Sequence, residues 1–256
     1  MIHGCWALAA VLALGASSPA LAQKKKPEAE VKGPALSANF RKAAAPVQEA
    51  IKAVNYPDAL AKLAAADAAA VSPDEKFINA QFRYQIATAQ KDVAAQSTAV
   101  QAMLDSGGAP AALAPQLYLA AGNGAYQRAD YPRAIQYLTQ AQQSGNTSSD
   151  VLLLLAESHF KLNQIPAGLA AVDKAVAASA AAGTKAPQAW YARAASVAYK
   201  AKLMSESSRW TRDQVKAYPT PENWRSALVI YRDSGQRDGQ LNLDLYRLMR
   251  VTKALD

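Results

Sequence analysis

Glu157, His159 and Lys161 are the residues of this sequence whose types and spacing come nearest to acid–base chemistry. A carboxylate, an imidazole and an amine so close together could transfer protons in an active site. Helices, however, bring charged residues together routinely. His159 lies among leucines and beside Phe160, where a packed or capped histidine is commoner than a ligand. The segment therefore predicts a helix surface and not a catalytic centre.

The motifs that usually mark enzymes are absent from the sequence. It has no HExxH, CxxC, GxSxG or phosphate-loop pattern. Gly122-Asn123-Gly124 lacks the preceding strand that a dinucleotide-binding turn needs. We therefore expect a protein without enzymatic activity, with no catalytic residue, no metal site and no cofactor.

The first residues have the pattern of a secretory signal peptide. An apolar stretch from Trp6 to Gly15 is followed by Ala20 and Ala22, which provide the small side chains that the cleavage site requires. The apolar stretch is too short to span a bilayer as a helix. We expect residues 1–22 to be removed after Ala22 and the mature protein, without a transmembrane segment, to be exported to the periplasm of a Gram-negative-type cell.

Residues 23–38 follow the expected cleavage site and are predicted to be a flexible basic leader. Lys24-Lys25-Lys26 is followed by proline, glycine and glutamate, which leave the segment little to bury. The chain has one cysteine, Cys5, and it precedes the expected cleavage site. The mature protein would therefore have neither disulfides nor thiol chemistry.

Three short copies of one pattern recur along the chain. They are Asn55-Tyr56-Pro57-Asp58-Ala59-Leu60, Asp130-Tyr131-Pro132-Arg133-Ala134-Ile135 and Gln164-Ile165-Pro166-Ala167-Gly168-Leu169. The last two prolines lie 34 residues apart, a period typical of helical repeat arrays. Proline is tolerated in the first turn of a helix because the N–H that it lacks has no intrahelical partner there. Each copy therefore predicts the start of a second helix in a helical hairpin.

Two adjacent segments, 115–148 and 149–183, resemble tetratricopeptide (TPR) repeats, and a third, 188–220, is similar. The residues that carry the resemblance are Tyr118, Ala121, Gly122, Asn123, Tyr131, Ala134, Ile135, Leu138 and Ala141 in the first segment, Leu152, Leu155, Ala156, Gly168, Leu169, Val172 and Ala175 in the second, and Tyr191, Ala194, Ala195, Ser207 and Pro219 in the third. The resemblance implies an all-α fold over residues 39–256, an α-solenoid of about five to six antiparallel helical hairpins. Small residues such as Gly122, Ala134, Ala156 and Gly168 should lie where two helices cross.

In TPR proteins the first helix of each hairpin lines a concave groove. The resemblance therefore implies a peptide-binding groove formed by Asn123, Tyr126, Gln127, Glu157, Phe160, Lys161, Arg193, Tyr199, Lys200, Arg225 and Arg232. The rings of Tyr126, Phe160 and Tyr199 could cover apolar parts of an extended peptide, and the basic residues could bind its carboxylates. The alternative is that these rings pack against the neighbouring repeat.

We predict a periplasmic protein–protein interaction scaffold or adaptor that binds an extended, partly acidic peptide or protein segment, and we expect no nucleic-acid partner. The alternative is an envelope-structural protein that binds anionic cell-wall or membrane material, because the net charge is +8 and basic residues predominate from Lys185 onward. An enzyme with an unrecognised site is a third possibility. Arg209, Arg212, Arg247 and Arg250 can equally be solvated outer faces.

The last predicted helix has an apolar face formed by Leu241, Leu245, Leu248, Met249 and Leu255. A solenoid usually ends in a helix with a polar outer face. This helix is therefore either a modest cap or a surface for self-association with another copy.

Overall fold

The structure is a computed structural model that describes residues 35–234 and 239–253, with only the backbone described at 239–242 and 245. These residues form twelve helices and no strands. The helices are α1 (Ala38–Lys52), α2 (Tyr56–Ala69), α3 (Pro73–Ala89), α4 (Val93–Asp105), α5 (Ala114–Gln127), α6 (Tyr131–Gln143), α7 (Ser149–Lys161), α8 (Ile165–Ala181), α9 (Gln188–Lys200), α10 (Met204–Ala217), α11 (Pro221–Asp233) and α12 (Gly239–Val251). The predicted signal peptide, residues 1–22, and most of the predicted leader, residues 23–38, lie outside the described residues.

Consecutive helices pack in pairs, from hairpin 1 (α1 and α2) to hairpin 6 (α11 and α12), and each hairpin packs on the next. The all-α solenoid of five to six hairpins that the sequence predicts is therefore confirmed. Two main cores fill it: one in hairpins 1 and 2 that reaches Leu117 of α5, and one that runs through hairpins 3 to 5. None of the helices in the described ranges is long and apolar enough to cross a membrane.

The predicted helix starts are confirmed by the prolines. Pro57, Pro132 and Pro166 each occupy the first turn of the second helix in a hairpin. The side chains of Asn55 and Asp130 accept backbone N–H groups at two of these starts, which satisfies donors that have no partner within the helix.

The turn inside each of hairpins 1 to 5 has one backbone conformation. A residue in the left-handed region comes two positions before the second helix, and none of these residues is glycine. They are Val54, Lys91, Ala129, Asn163 and Lys202, with φ between 57 and 60°. The N–H of the following residue donates to a carbonyl five residues earlier in each case, the pattern of a Schellman motif. One repeated turn therefore sets the geometry of five hairpins.

The turn of hairpin 1 places valine where glycine is the favoured residue. Val54 has a φ of 57° and is 67% exposed. Val54→Gly should raise the free energy of unfolding by about 1 kcal/mol, because relief of about 1–2 kcal/mol of steric strain outweighs the added unfolded-state entropy of glycine. Urea denaturation followed by circular dichroism measures the change. Val71→Gly is the control, because Val71 is 78% exposed and has no positive φ. This control should not stabilise the protein. A Val54→Gly variant less stable than the unaltered protein would contradict the strain argument.

Small residues lie at the helix crossings, as predicted. Ala134 and Ala156 are buried. A Cβ at Gly122 would lie 2.7 Å from Cγ of Leu138, and one at Gly168 would lie 2.3 Å from Cε1 of Phe160. The two helices of hairpins 3 and 4 therefore approach too closely for larger side chains at these positions.

Glu75 connects the start of α1 to the start of α3. It is 2% exposed, and its carboxylate accepts the backbone N–H groups of Ser37 (2.8 Å), Val71 (2.8 Å) and Ser72 (2.9 Å). The hydrogen bond from Ser72, followed by those from Ser37 and Val71, lowers the pKa of Glu75 from 4.5 to about 2. Residues at the end of the predicted leader are thus bound to the helical domain, since Ser37 falls within 23–38.

Stability should depend on pH through Glu75. Its pKa is lower in the folded chain than the ordinary 4.5, so its stabilising contribution is complete above that value and is lost as the pH falls towards about 2. The thermal midpoint should fall over this interval, and it should fall less in Glu75→Gln, which should already melt several degrees lower at neutral pH. Glu49→Gln, which removes an exposed carboxyl group from α1, should keep the acid-induced loss. An unchanged pH profile in Glu75→Gln would contradict this role.

Helix α12 carries both packed and exposed apolar residues. Met249 packs against Leu228 of α11, whereas Leu248 is 39% exposed. These two residues therefore do not share one buried face, because adjacent positions on a helix point in different directions. The predicted contributions of Leu241, Leu245 and Leu255 to that face lie outside the described side chains.

Candidate functional site

The predicted groove residues lie on four successive first helices: α5, α7, α9 and α11. Most of them are exposed, and the partly buried ones are Tyr126, Glu157 and Phe160. The full set is Asn123, Tyr126 and Gln127 on α5, Glu157, Phe160 and Lys161 on α7, Arg193, Tyr199 and Lys200 on α9, and Arg225 and Arg232 on α11. We call this set the first-helix strip.

An ion pair at the centre of the first-helix strip joins α7 to α9. Nε and Nη2 of Arg193 donate to Oε1 and Oε2 of Glu157 at 2.8 and 2.7 Å. The guanidinium carbon lies 5.6 Å from the centre of the Phe160 ring, which is within the range of a cation–π interaction. Burial, followed by the charge of Glu157, raises the pKa of Tyr126, so the α5 ring lies near the pair. Four predicted residues from three helices therefore form one cluster.

The aromatic rings of the first-helix strip differ in how much they face solvent. The Tyr126 ring packs edge-to-face on Tyr131 of α6, with 5.6 Å between ring centres. The Phe160 ring lies against Gly168 of α8. Tyr199 is 41% exposed. Two of the three rings thus pack against the second helix of their own hairpin, and Tyr199 is the one most open to a partner.

Asp233 lies beside the first-helix strip, although it was not among the residues predicted from the sequence. The Tyr199 hydroxyl donates to Oδ2 of Asp233 at 3.4 Å, and Nη2 of Arg232 lies 3.1 Å from Oδ1. The Asp233 carboxylate therefore connects α9 to α11. It also forms an ion pair with the guanidinium of Arg232, which was predicted to bind a peptide carboxylate. Asp233 comes 34 residues after Tyr199, which is one repeat period. This spacing could have predicted the contact between the two residues.

The exposed polar residues of the strip offer donors, acceptors and positive charge. Lys161 and Lys200 are each the last residue of their helix, are exposed, and form no ion pair within the described part of the chain. The exposed amides of Asn123 and Gln127 can both donate and accept hydrogen bonds. Arg225 is also exposed, near the start of α11. Amides of this kind suit a peptide backbone, and the lysines suit carboxylates.

The acid–base residues considered first do not form a catalytic arrangement. The Glu157 carboxylate forms an ion pair with Arg193, and Nδ1 of His159 lies 2.7 Å from Oε1 of Gln164. Lys161 is exposed at the end of α7. Within residues 35–234 and 239–253, no group of three histidines, cysteines or acidic residues could hold a metal ion.

Arg209, on the second helix of hairpin 5, forms ion pairs with other residues of the solenoid. Its Nη1 and Nη2 donate to the two carboxylate oxygens of Asp173 at 2.8 and 3.0 Å, and Nη2 also donates to Glu206 at 2.8 Å. Its guanidinium lies over the Trp210 ring, 4.4 Å from the ring centre. This arginine therefore stabilises hairpins 4 and 5, and it is less available to an external acidic partner than its sequence suggested.

Twelve helices in six pairs, one repeated turn and small residues at the crossings define the architecture of the described residues. The fold is a TPR-like α-solenoid. No protein-family model matches the chain, and no curated protein matches its sequence.

Several solved structures resemble this solenoid at low sequence identity. MamA is 14% identical with a TM-score of 0.49, and the match covers 70% of this chain and 92% of that chain. The C-terminal part of a TPR repeat-containing protein from Cytophaga hutchinsonii is 12% identical with a TM-score of 0.48, and 86% of each chain is covered. PilW, a type IV pilus biogenesis factor, is 12% identical with a TM-score of 0.41, and the match covers 86% of this chain and 96% of that chain. Similarity at this level assigns no function.

Proposed function

We propose that the protein is a non-enzymatic scaffold or adaptor that binds an extended segment of a partner protein in the groove along the first-helix strip. The observation that carries the proposal is the continuity of the strip. The Glu157–Arg193 pair joins α7 to α9, the Tyr199–Asp233 hydrogen bond joins α9 to α11, and Tyr126 brings in α5. An extended chain gains affinity when several pockets and polar groups contact it in a row.

The strip favours a partly acidic segment with apolar side chains. Lys161 and Lys200 are the cations most open to its carboxylates, and the exposed Tyr199 ring can cover an apolar side chain. Arg193 contributes less, because an incoming carboxylate must compete with Glu157 for both of its donors. The proposed specificity therefore depends on lysines at the ends of α7 and α9.

We also propose that this scaffold acts in the periplasm. The support is the signal-peptide pattern of residues 1–22 and its small residues at the cleavage site. Amino-terminal sequencing of the protein recovered from the periplasm of a Gram-negative host should begin at Gln23. Recovery of the uncleaved chain in the cytosol alone would contradict the proposed location.

Peptide selection tests the binding strip directly. Random peptides displayed on phage are selected against the full chain, and a selected peptide is synthesised and titrated by fluorescence anisotropy. We expect enriched sequences to combine acidic and apolar residues. The double variant Lys161→Gln with Lys200→Gln should weaken binding about tenfold, since exposed ion pairs contribute up to about 1 kcal/mol each. Glu157→Gln should strengthen it, because Arg193 becomes available.

The matched control removes two charges from the second helices. Lys174 on α8 and Arg212 on α10 are exposed, so Lys174→Gln with Arg212→Gln makes the same change in net charge away from the strip. This variant should bind like the unaltered protein. Equal weakening by both double variants would show that net charge, and not the first-helix strip, holds the peptide, and selection of no peptide would contradict the scaffold proposal itself.

A further inference from the structure

Partly exposed apolar residues lie one helical turn before the polar residues of the first-helix strip on α5 and α7. Each comes three or four positions before Asn123 or Glu157, and residues spaced in this way share one face of a helix. They are Leu119 and Ala120 on α5 and Leu153 and Leu154 on α7. We call these residues the apolar patch.

The apolar patch lies at the edge of the solenoid core. Leu119 and Leu154 pack against the core that runs through hairpins 3 to 5, although both remain partly exposed. Among the described residues, Leu153 is part of neither main core. Helices α5 and α7 contact each other directly, so one ligand side chain can reach patch residues on both helices.

The repeat fold does not require leucine at the positions of the apolar patch. These positions are eight and nine residues before the C-cap of each first helix. The same positions hold Ala192 and Arg193 on α9 and Arg225 and Ser226 on α11, and all four of those residues are exposed. Apolar surface that the repeat does not need, and that stays in contact with water at a cost in free energy, favours a role in binding.

Charged residues lie at both ends of the apolar patch on α7. Lys161 comes seven positions after Leu154, which places it about 10 Å further along the same face of the helix. The carboxylate between them, that of Glu157, is paired with Arg193. Asp150 lies on the other side of the patch, in the first turn of α7. A ligand on the patch therefore meets positive charge at one end and negative charge at the other.

We propose that the apolar patch binds an aliphatic or aromatic side chain of the partner segment whose acidic residue pairs with Lys161. This inference rests on the proposed function and specifies its partner. The distance of about 10 Å corresponds to about three residues of extended chain, at about 3.3 Å each. The segment therefore carries an apolar residue about three positions from an acidic one, and its acidic end points away from Asp150.

Truncation of one leucine tests the apolar patch with a peptide obtained by the phage selection described above. Leu153→Ala should weaken binding of that peptide about tenfold, because a contact of this kind at the centre of an interface contributes strongly. The control is Leu60→Ala, which removes a 46% exposed leucine from α2, a second helix. This control should bind like the unaltered protein, and circular dichroism checks that both variants remain helical. Equal binding by the two variants would overturn the inference.

A double-mutant cycle identifies the contact between the apolar patch and the peptide. Replacement of the apolar peptide residue by serine should weaken binding to the unaltered protein about tenfold, but binding to the Leu153→Ala variant only about twofold, because residues in contact are coupled. If Leu153 acts only through the fold, both losses will be about tenfold and the inference fails. Selected peptides that lack an apolar residue about three positions from an acidic one would also contradict it.

The proposed function and this inference fail in different ways. If selection yields no peptide, the scaffold function fails and the inference fails with it. If a peptide binds and loses affinity in Lys161→Gln with Lys200→Gln but keeps it in Leu153→Ala, the scaffold function stands and the apolar patch is not part of the binding site.

Discussion

Gly108→Ala should lower the free energy of unfolding by about 3 kcal/mol or more. Gly108 lies in the loop between α4 and α5, and a Cβ there would be 2.2 Å from the carbonyl oxygen of Pro73 and 2.7 Å from the nitrogen of Asp74. These are backbone atoms at the start of α3, so the clash cannot be relieved by a side-chain rotation. The thermal midpoint, followed by circular dichroism, should fall by about 10 °C, at about 2–4 °C per kcal/mol for a chain of this size.

The neighbouring glycine separates steric contact from backbone strain. Gly107 has a φ of 69°, and a Cβ there would meet nothing within 4 Å. Gly107→Ala should therefore cost only the strain of a left-handed residue, about 1–2 kcal/mol. If Gly108→Ala were as stable as Gly107→Ala, the loop would not pack against the start of α3 as the structure describes.

The turns and helix starts could be predicted from the sequence because their signals are local. Asn55 with Pro57 and Asp130 with Pro132 combine a capping side chain with a proline that fits the first helical turn. Both residues act within a few positions of the structure that they determine. The hairpins and the small residues at their crossings could be predicted because these same signals recur at the length of one repeat.

The contacts across repeats could not be predicted in the same way. Arg193 and Glu157 are 36 residues apart, and so are Arg209 and Asp173. The sequence placed Arg193 in the peptide groove and left Arg209 as an equally plausible solvated outer face, because a charged residue shows no partner until the stacking of hairpins is known. Opposite charges about one repeat apart on equivalent helices would have been the better indicator.

The residues proposed to bind a peptide differ from those predicted because contacts between helices, which the sequence does not show, bury or pair some of them. The sequence predicted three rings and several guanidinium groups in the groove, with packing of the rings against the neighbouring repeat as the alternative. In the structure, Gly168 leaves space that brings α8 against the Phe160 ring, and Glu157 occupies both donors of Arg193. The burial of a ring is decided by the helix that packs behind it, so the proposed contacts shift to Lys161 and Lys200.

Trp210→Ala should lower the free energy of unfolding by about 3–5 kcal/mol. Trp210 is 1% exposed and belongs to the core that runs through hairpins 3 to 5. Its ring meets Tyr191 edge-to-face, with 6.2 Å between ring centres, and the Arg209 guanidinium lies over the ring, 4.4 Å from its centre. The loss is measured by urea denaturation with circular dichroism, and an unchanged slope would show that the variant still unfolds as one unit.

Trp210→Phe is the matched variant, and it should keep more than half of the stability that Trp210→Ala loses. The indole Nε1 of Trp210 is buried without an acceptor in the described part of the chain. An unpaired buried donor costs free energy, so its removal offsets part of the packing lost with the smaller ring. The ring contact with Tyr191 is retained in this variant. A phenylalanine variant as unstable as the alanine variant would contradict this expectation and would indicate that the indole N–H of Trp210 has an acceptor.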